Sequence, residues 1–110
     1  METSNFARCA SKKNAVSIAR GNPKWYKGIS YPALFPTWEM IKLKSNIPLY
    51  EKLYKEQILD KLNPKDVYEE LGEDSILLCW ESPGAFCHRR IVAKWLEESL
   101  GVIIPERGIK

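Results

Sequence analysis

The twelve-residue stretch Cys79-Trp80-Glu81-Ser82-Pro83-Gly84-Ala85-Phe86-Cys87-His88-Arg89-Arg90 holds two of the three cysteines, the single histidine, a carboxylate and two guanidiniums. These residue types admit three chemistries. A thiol whose pKa is lowered by a helix terminus and by His88 becomes a nucleophile, and Glu81 or His88 can then move protons. Arg89, together with Arg20 from an earlier segment and the start of a helix, can hold a phosphate or another anion. Cys79, Cys87 and His88 also form a zinc set on paper. The spacing C-x7-C-H is not a standard zinc pattern, however, and adjacent ligands strain a tetrahedral site, so neither metal nor cofactor is expected. A loop with Cys after a strand and Arg six residues on, as in phosphatases and sulfurtransferases, is excluded because position 85 is Ala. Glycine-rich dinucleotide and Walker-type loops are missing as well. The bland alternative for His88 is a buried imidazole bonded to a strand-end carbonyl. Against it stands the crowding of reactive types, for which a purely structural junction has no use.

Such a stretch needs elements to aim it. Ser75 to Trp80 is continuously apolar, as a strand covered on both faces should be. Ala85 to Leu100 reads as a helix, with Ser82 as cap, Pro83 at its first position and Gly84 permitting close approach of a ligand to the backbone. Ile91, Val92, Trp95 and Leu96 mark its buried face. His88 and Cys87 fall on that side, Arg90 falls outside and Arg89 lies on the flank. Gly101 is placed to end the helix, and Val102-Ile103-Ile104 reads as a last strand stopped by Pro105.

Upstream, Met1–Ser4 is a strand stub leading into a short helix over Asn5–Lys13, and Ala15–Ala19 is a buried strand. Its carboxyl end, Ile18-Ala19-Arg20-Gly21, is the second place where a ligand would bind, since open α/β sheets take ligands at strand carboxyl ends. The connection Gly21–Pro36 interleaves bases and aromatics at Lys24, Trp25, Tyr26 and Lys27, a composition suited to stacking a base and touching a phosphate. Thr37 caps a helix through Leu43. Pro48 opens another, apolar on one face through Leu62, and Asn63-Pro64 restarts a third that ends near Gly72. The pattern predicts one α/β domain over residues 1–110, with a small, mostly parallel sheet and helices on both faces.

The chain has 110 residues and a net charge of +3. Residues 1–55 carry ten Lys/Arg against three Asp/Glu, whereas residues 56–110 carry seven against eleven. The basic half can attract phosphate or nucleic acid. No run approaches the ~20 apolar residues of a membrane helix, and the first residues do not read as a secretory signal. An odd number of cysteines argues against a disulfide framework and for a reducing, cytoplasmic setting.

The segment LLCWESPGAFCHRRIVAKWLEE resembles the C-terminal signature of domain-of-unknown-function family 488, and VSIARGNPKWYKG resembles its N-terminal signature. The resemblance implies a compact α/β fold with a pocket lined by both signatures. It points to Ser17, Arg20, Pro23, Trp25, Cys79, Glu81, Cys87, His88 and Arg89, and it leaves the reaction open. The expectation is a small enzyme or enzyme-like domain acting on a phosphorylated ligand, a nucleotide or a nucleic-acid end. Cys79, Glu81, Cys87 and His88 would be its chemical groups, and Ser17, Arg20, Trp25 and Arg89 would hold the ligand. The alternatives are a non-catalytic nucleic-acid-binding module and a structural or interaction domain.

Overall fold

The computed structural model describes residues 1–81 and 85–107. Among them, four strands form one parallel sheet: β1 (Glu2–Asn5), β2 (Ala15–Ser17), β3 (Ile29–Ser30) and β4 (Ile76–Cys79). The order is β1-β4-β2-β3, so the most hydrophobic strand, last in sequence, lies between β1 and β2. All four residues of β4 are buried, as the unbroken apolar run predicts. Its side chains alternate between faces: Leu77 packs with Val16 on one side, while Ile76 and Leu78 pack with Ala15, Phe6 and Cys9 on the other.

Helix α1 (Phe6–Cys9) covers that second face. The first face is covered by α2 (Trp38–Lys42), α3 (Ile47–Gln57), α4 (Pro64–Leu71) and α5 (His88–Leu100). The α/β class with helices on both faces is therefore correct. Two helix starts follow the expected caps. Thr37 accepts from the Met40 amide at 3.2 Å, and Asn63 accepts from Lys65 and Asp66 ahead of Pro64. Helix α5 ends at Gly101, whose φ of +71° only glycine adopts without strain.

Three expectations need correction. The helix opened by Pro48 stops at Gln57 and gives way to a 3-10 turn over Leu59–Lys61. Helix α5 begins at His88 rather than Ala85, with Cys87 as its cap, and Ser82, Pro83 and Gly84 lie outside the described residues. Val102–Ile104 forms no strand. The Ile104 amide donates to the Glu97 carboxylate at 2.8 Å, and Pro105 has no N–H to give to a ladder. The residues that follow meet β1 at an isolated bridge between Thr3 and Glu106. Among the described residues, no helix is long and apolar enough to cross a membrane.

Candidate functional site

A pocket of about 380 Å³ opens at the carboxyl ends of β2 and β4, within the size range of small-molecule sites. The chain leaving β2 supplies Ala19, Arg20, Gly21 and Asn22, and the end of β4 supplies Cys79, Trp80 and Glu81. Helix α2 adds Trp38 and Ile41, and Lys44 follows it. Tyr50 comes from α3, and Phe86, Cys87 and His88 come from the start of α5. The walls are largely aromatic. Tyr50 and Phe86 meet edge to face with centroids 5.1 Å apart. Trp80 is 55% exposed and donates its indole N–H to the Gly21 carbonyl at 2.6 Å.

Two cations line this pocket. Arg20 donates through Nε to the Pro36 carbonyl at 2.6 Å, and its guanidinium lies 5.7 Å from the centre of the Trp38 ring. That anchoring leaves its terminal nitrogens without a hydrogen-bond partner among the described residues. Lys44 forms an ion pair with Glu81, so the carboxylate expected to move protons is held by a cation at the edge of the pocket. The Tyr50 hydroxyl has no hydrogen-bond partner among the described residues, and burial holds its pKa above the ordinary phenol value.

At the floor, Cys79 and Cys87 are joined by a disulfide. This overturns the expectation drawn from the odd cysteine count; only Cys9 is free, and it is buried at the end of α1, on the side that faces the sheet. His88 is buried, with Nε2 2.6 Å from the Ile18 carbonyl and Nδ1 3.5 Å from Cys87 Sγ. A carbonyl only accepts, so Nε2 carries the hydrogen and Nδ1 of the neutral ring offers its lone pair to the sulfur. Burial lowers the His88 pKa to about 4. The hydrogen bond to Ile18 opposes that shift, and the positive charges of Arg89 and Lys44 add to it. Cys79 Sγ, Cys87 Sγ and a His88 nitrogen lie within 4.8 Å of one another, as metal ligands would. With the sulfurs bonded to each other there is no thiolate to bind zinc, so these residues do not fit that metal.

The remaining expected residues lie elsewhere. Arg89 is 0% exposed and does not line the pocket. Its guanidinium grips Glu106, Nε to Oε1 at 2.6 Å and Nη2 to Oε2 at 3.2 Å, while Nη1 reaches Cys79 Sγ at 2.9 Å. The buried stripe of α5 runs through Val92, Ala93 and Leu96, which centres Arg89 on the inward face instead of the flank. Ser17 is buried, and its hydroxyl bonds the Asn22 side chain and accepts from the Ala19 amide, which shapes the turn after β2. Trp25 is 60% exposed and borders a separate groove with Lys12, Lys13 and Lys27. Sequence reasoning missed Trp38, Lys44, Tyr50 and Phe86, which reach the pocket through helix packing and carry no local signature. Glu106 was also missed, although an arginine inside a helix stripe calls for a carboxylate partner.

Comparison with protein families, with curated proteins and with solved structures finds no match for this chain.

Proposed function

We propose that this chain binds a small anionic aromatic ligand of the mononucleotide class in the pocket at the carboxyl ends of β2 and β4. The observation that carries the reading is the pairing of aromatic walls with cations in one cavity: Trp38, Trp80, Tyr50 and Phe86 beside Arg20 and Lys44. Aromatic faces stack a base, and the fork of an anchored arginine binds phosphate through two hydrogen bonds. Lys44 would exchange Glu81 for the incoming anion. Arg89 drops out of the ligand set because Glu106 occupies its guanidinium. Likeness to domain-of-unknown-function family 488 and a cytoplasmic setting belong to the same reading. The likeness rests on the two signatures, and the setting rests on the absence of a secretory pattern in the first residues.

A thermal-shift titration with nucleoside monophosphates tests the proposal. At a hundredfold excess over Kd, one bound ligand adds about 2.7 kcal/mol of stability, enough to raise Tm by roughly 10 °C in a domain of this size. The rise should vanish in Arg20→Ala and shrink in Trp80→Ala. A Tm that no mononucleotide moves would sink the reading.

One observation favours a second reading, a nucleic-acid-binding module. The groove with Trp25, Lys12, Lys13 and Lys27 has a volume of about 410 Å³ and sets bases against an exposed indole. That reading requires affinity for a single-stranded oligonucleotide to fall steeply with salt and Lys27→Ala to weaken binding more than Arg20→Ala does.

A further inference from the structure

A disulfide that only braces a fold needs no proton-transfer partners and gains nothing from facing a cavity. The Cys79–Cys87 bond has both features. Each sulfur has its own polar neighbour: Arg89 Nη1 donates to Cys79 Sγ at 2.9 Å, and His88 Nδ1 lies 3.5 Å from Cys87 Sγ. Both cysteines line the pocket beside Trp80 and Phe86. A cation beside a sulfur stabilises the thiolate, and a bare imidazole nitrogen can take the proton of a thiol. The two sulfurs are therefore differentiated, one for attack and one for resolution.

We propose that Cys79 and Cys87 form a dithiol–disulfide couple that exchanges with small disulfides carrying an anionic group, with Cys87 attacking, His88 taking its proton and Cys79 resolving. This goes beyond nucleotide binding and shares with it only the premise that the pocket admits an anionic aromatic molecule.

In the reduced protein, Cys87 Sγ–H donates to His88 Nδ1, and the proton passes there as the sulfur attacks a substrate disulfide RS–SR. The S–S bond of the substrate breaks. One RS⁻ leaves, and Cys87 is held in a mixed disulfide. Cys79, a thiolate beside the Arg89 guanidinium, then attacks Cys87 Sγ. The protein disulfide forms and the second RS⁻ departs. Two electrons have passed from the dithiol to the substrate. The proton on His88 goes to one RS⁻, and the proton that Cys79 gave to solvent on ionising is balanced by solvent protonating the other. A cellular thiol of the low-molecular-weight class returns the protein to the dithiol by the reverse exchange. The groups acting on His88 are Tyr54 of α3 against its ring, Lys44 after α2, and Cys87 and Arg89 of its own segment, while Tyr50 and Glu81 line the same pocket. Glu81 is paired with Lys44, and it is a Cys87 thiolate, 3.5 Å from Nδ1, that would bring a negative charge against that nitrogen and so hold an imidazolium there.

The probe is 5,5′-dithiobis(2-nitrobenzoate), an aromatic disulfide with two carboxylates, mixed with reduced protein in a Cys9→Ser background. Each attack releases one coloured thiolate. The expected result is release of two thiolates per protein, with no label retained. Adding Cys79→Ser should leave one release and a stable label on Cys87. Adding Cys87→Ser should slow the reaction roughly a hundredfold, since the Cys79 sulfur is buried and its charge is held by the Arg89 guanidinium. His88→Gln should slow it roughly tenfold at pH 7. Should that variant fail to fold, the pH profile of Cys87 alkylation in the otherwise unaltered protein supplies the same information, with a midpoint well below the ordinary thiol range. Equal rates in the two serine variants would overturn the proposal, as would two retained labels or an ordinary thiol midpoint. Mononucleotide competition separates the two readings. Nucleotide binding without exchange sinks this proposal alone, and exchange that no nucleotide slows sinks the ligand assignment alone.

Discussion

His88 has one ring nitrogen committed to the Ile18 carbonyl and the other facing sulfur, with Tyr54 against its ring at 5.5 Å. The consequence is measurable. In the unfolded chain the imidazole takes a proton near its ordinary value of 6.5, but in the folded protein it stays neutral down to about 4. Below pH 6.5 the unfolded chain therefore binds more protons than the folded one, and stability falls as pH is lowered. The imidazole's contribution is intact above that window. Between pH 7.5 and 5.5 the loss should be about 1 kcal/mol. Urea denaturation midpoints with the disulfide intact would show it, and His88→Gln should flatten the slope. The inward direction of His88 was legible from the spacing of Ile91, Val92 and Trp95. Arg89 was not, because a guanidinium at the centre of an apolar stripe becomes sensible only once Glu106 is seen beside it. The disulfide was illegible for a related reason: pairing depends on where the chain between 79 and 87 brings the sulfurs, and the count of cysteines carries no such information.

Among the elements, the starts of α2 and α4 were readable because a cap is a local bargain between one side chain and the next two or three amides, whereas α5 starts at Cys87 without a side-chain cap. Asn63 illustrates it, accepting from two amides ahead of a proline that needs no donor partner. Asn63→Ala should cost about 1 kcal/mol, measurable as a lower denaturation midpoint with pocket binding unchanged, since α4 does not line the pocket. Elements defined by their neighbours were harder to read. Val102, Ile103 and Ile104 have strand composition, yet Ile103 is 85% exposed and the Ile104 amide is taken by Glu97. The free edge of β1 is met by Pro105–Arg107 instead, so an apolar triplet signals a strand only when it is the segment that reaches the edge. The same limit hid β3, two exposed residues inside a long connection, whose pairing to β2 depends on the turn that Ser17 and Asn22 hold.

At the level of the whole molecule, Glu106 gathers three parts of the chain. It accepts from Thr3 of β1 at 2.8 Å and from Arg89 of α5 at 2.6 Å, and its own segment bridges to the sheet. Replacing it leaves the Arg89 charge buried without this partner, so Glu106→Ala should destabilise the domain by roughly 3 kcal/mol or more. The check is the denaturation midpoint, and Glu106→Gln should recover part of the loss by keeping the hydrogen bond from Thr3. The sheet order has a different kind of consequence. β1 and β2 are close in sequence but do not pair with each other; both pair with β4, some sixty residues further on. A ribosome that has released only the first half of the chain has therefore released β1 without its partner strand and β2 with only the two residues of β3 beside it. Closing the sheet awaits the arrival of Ile76–Cys79, and the loops to be closed are long, which slows folding. Until then Val16 and Ile18 remain uncovered, and the nascent chain is most open to chaperones and to misassembly during that interval.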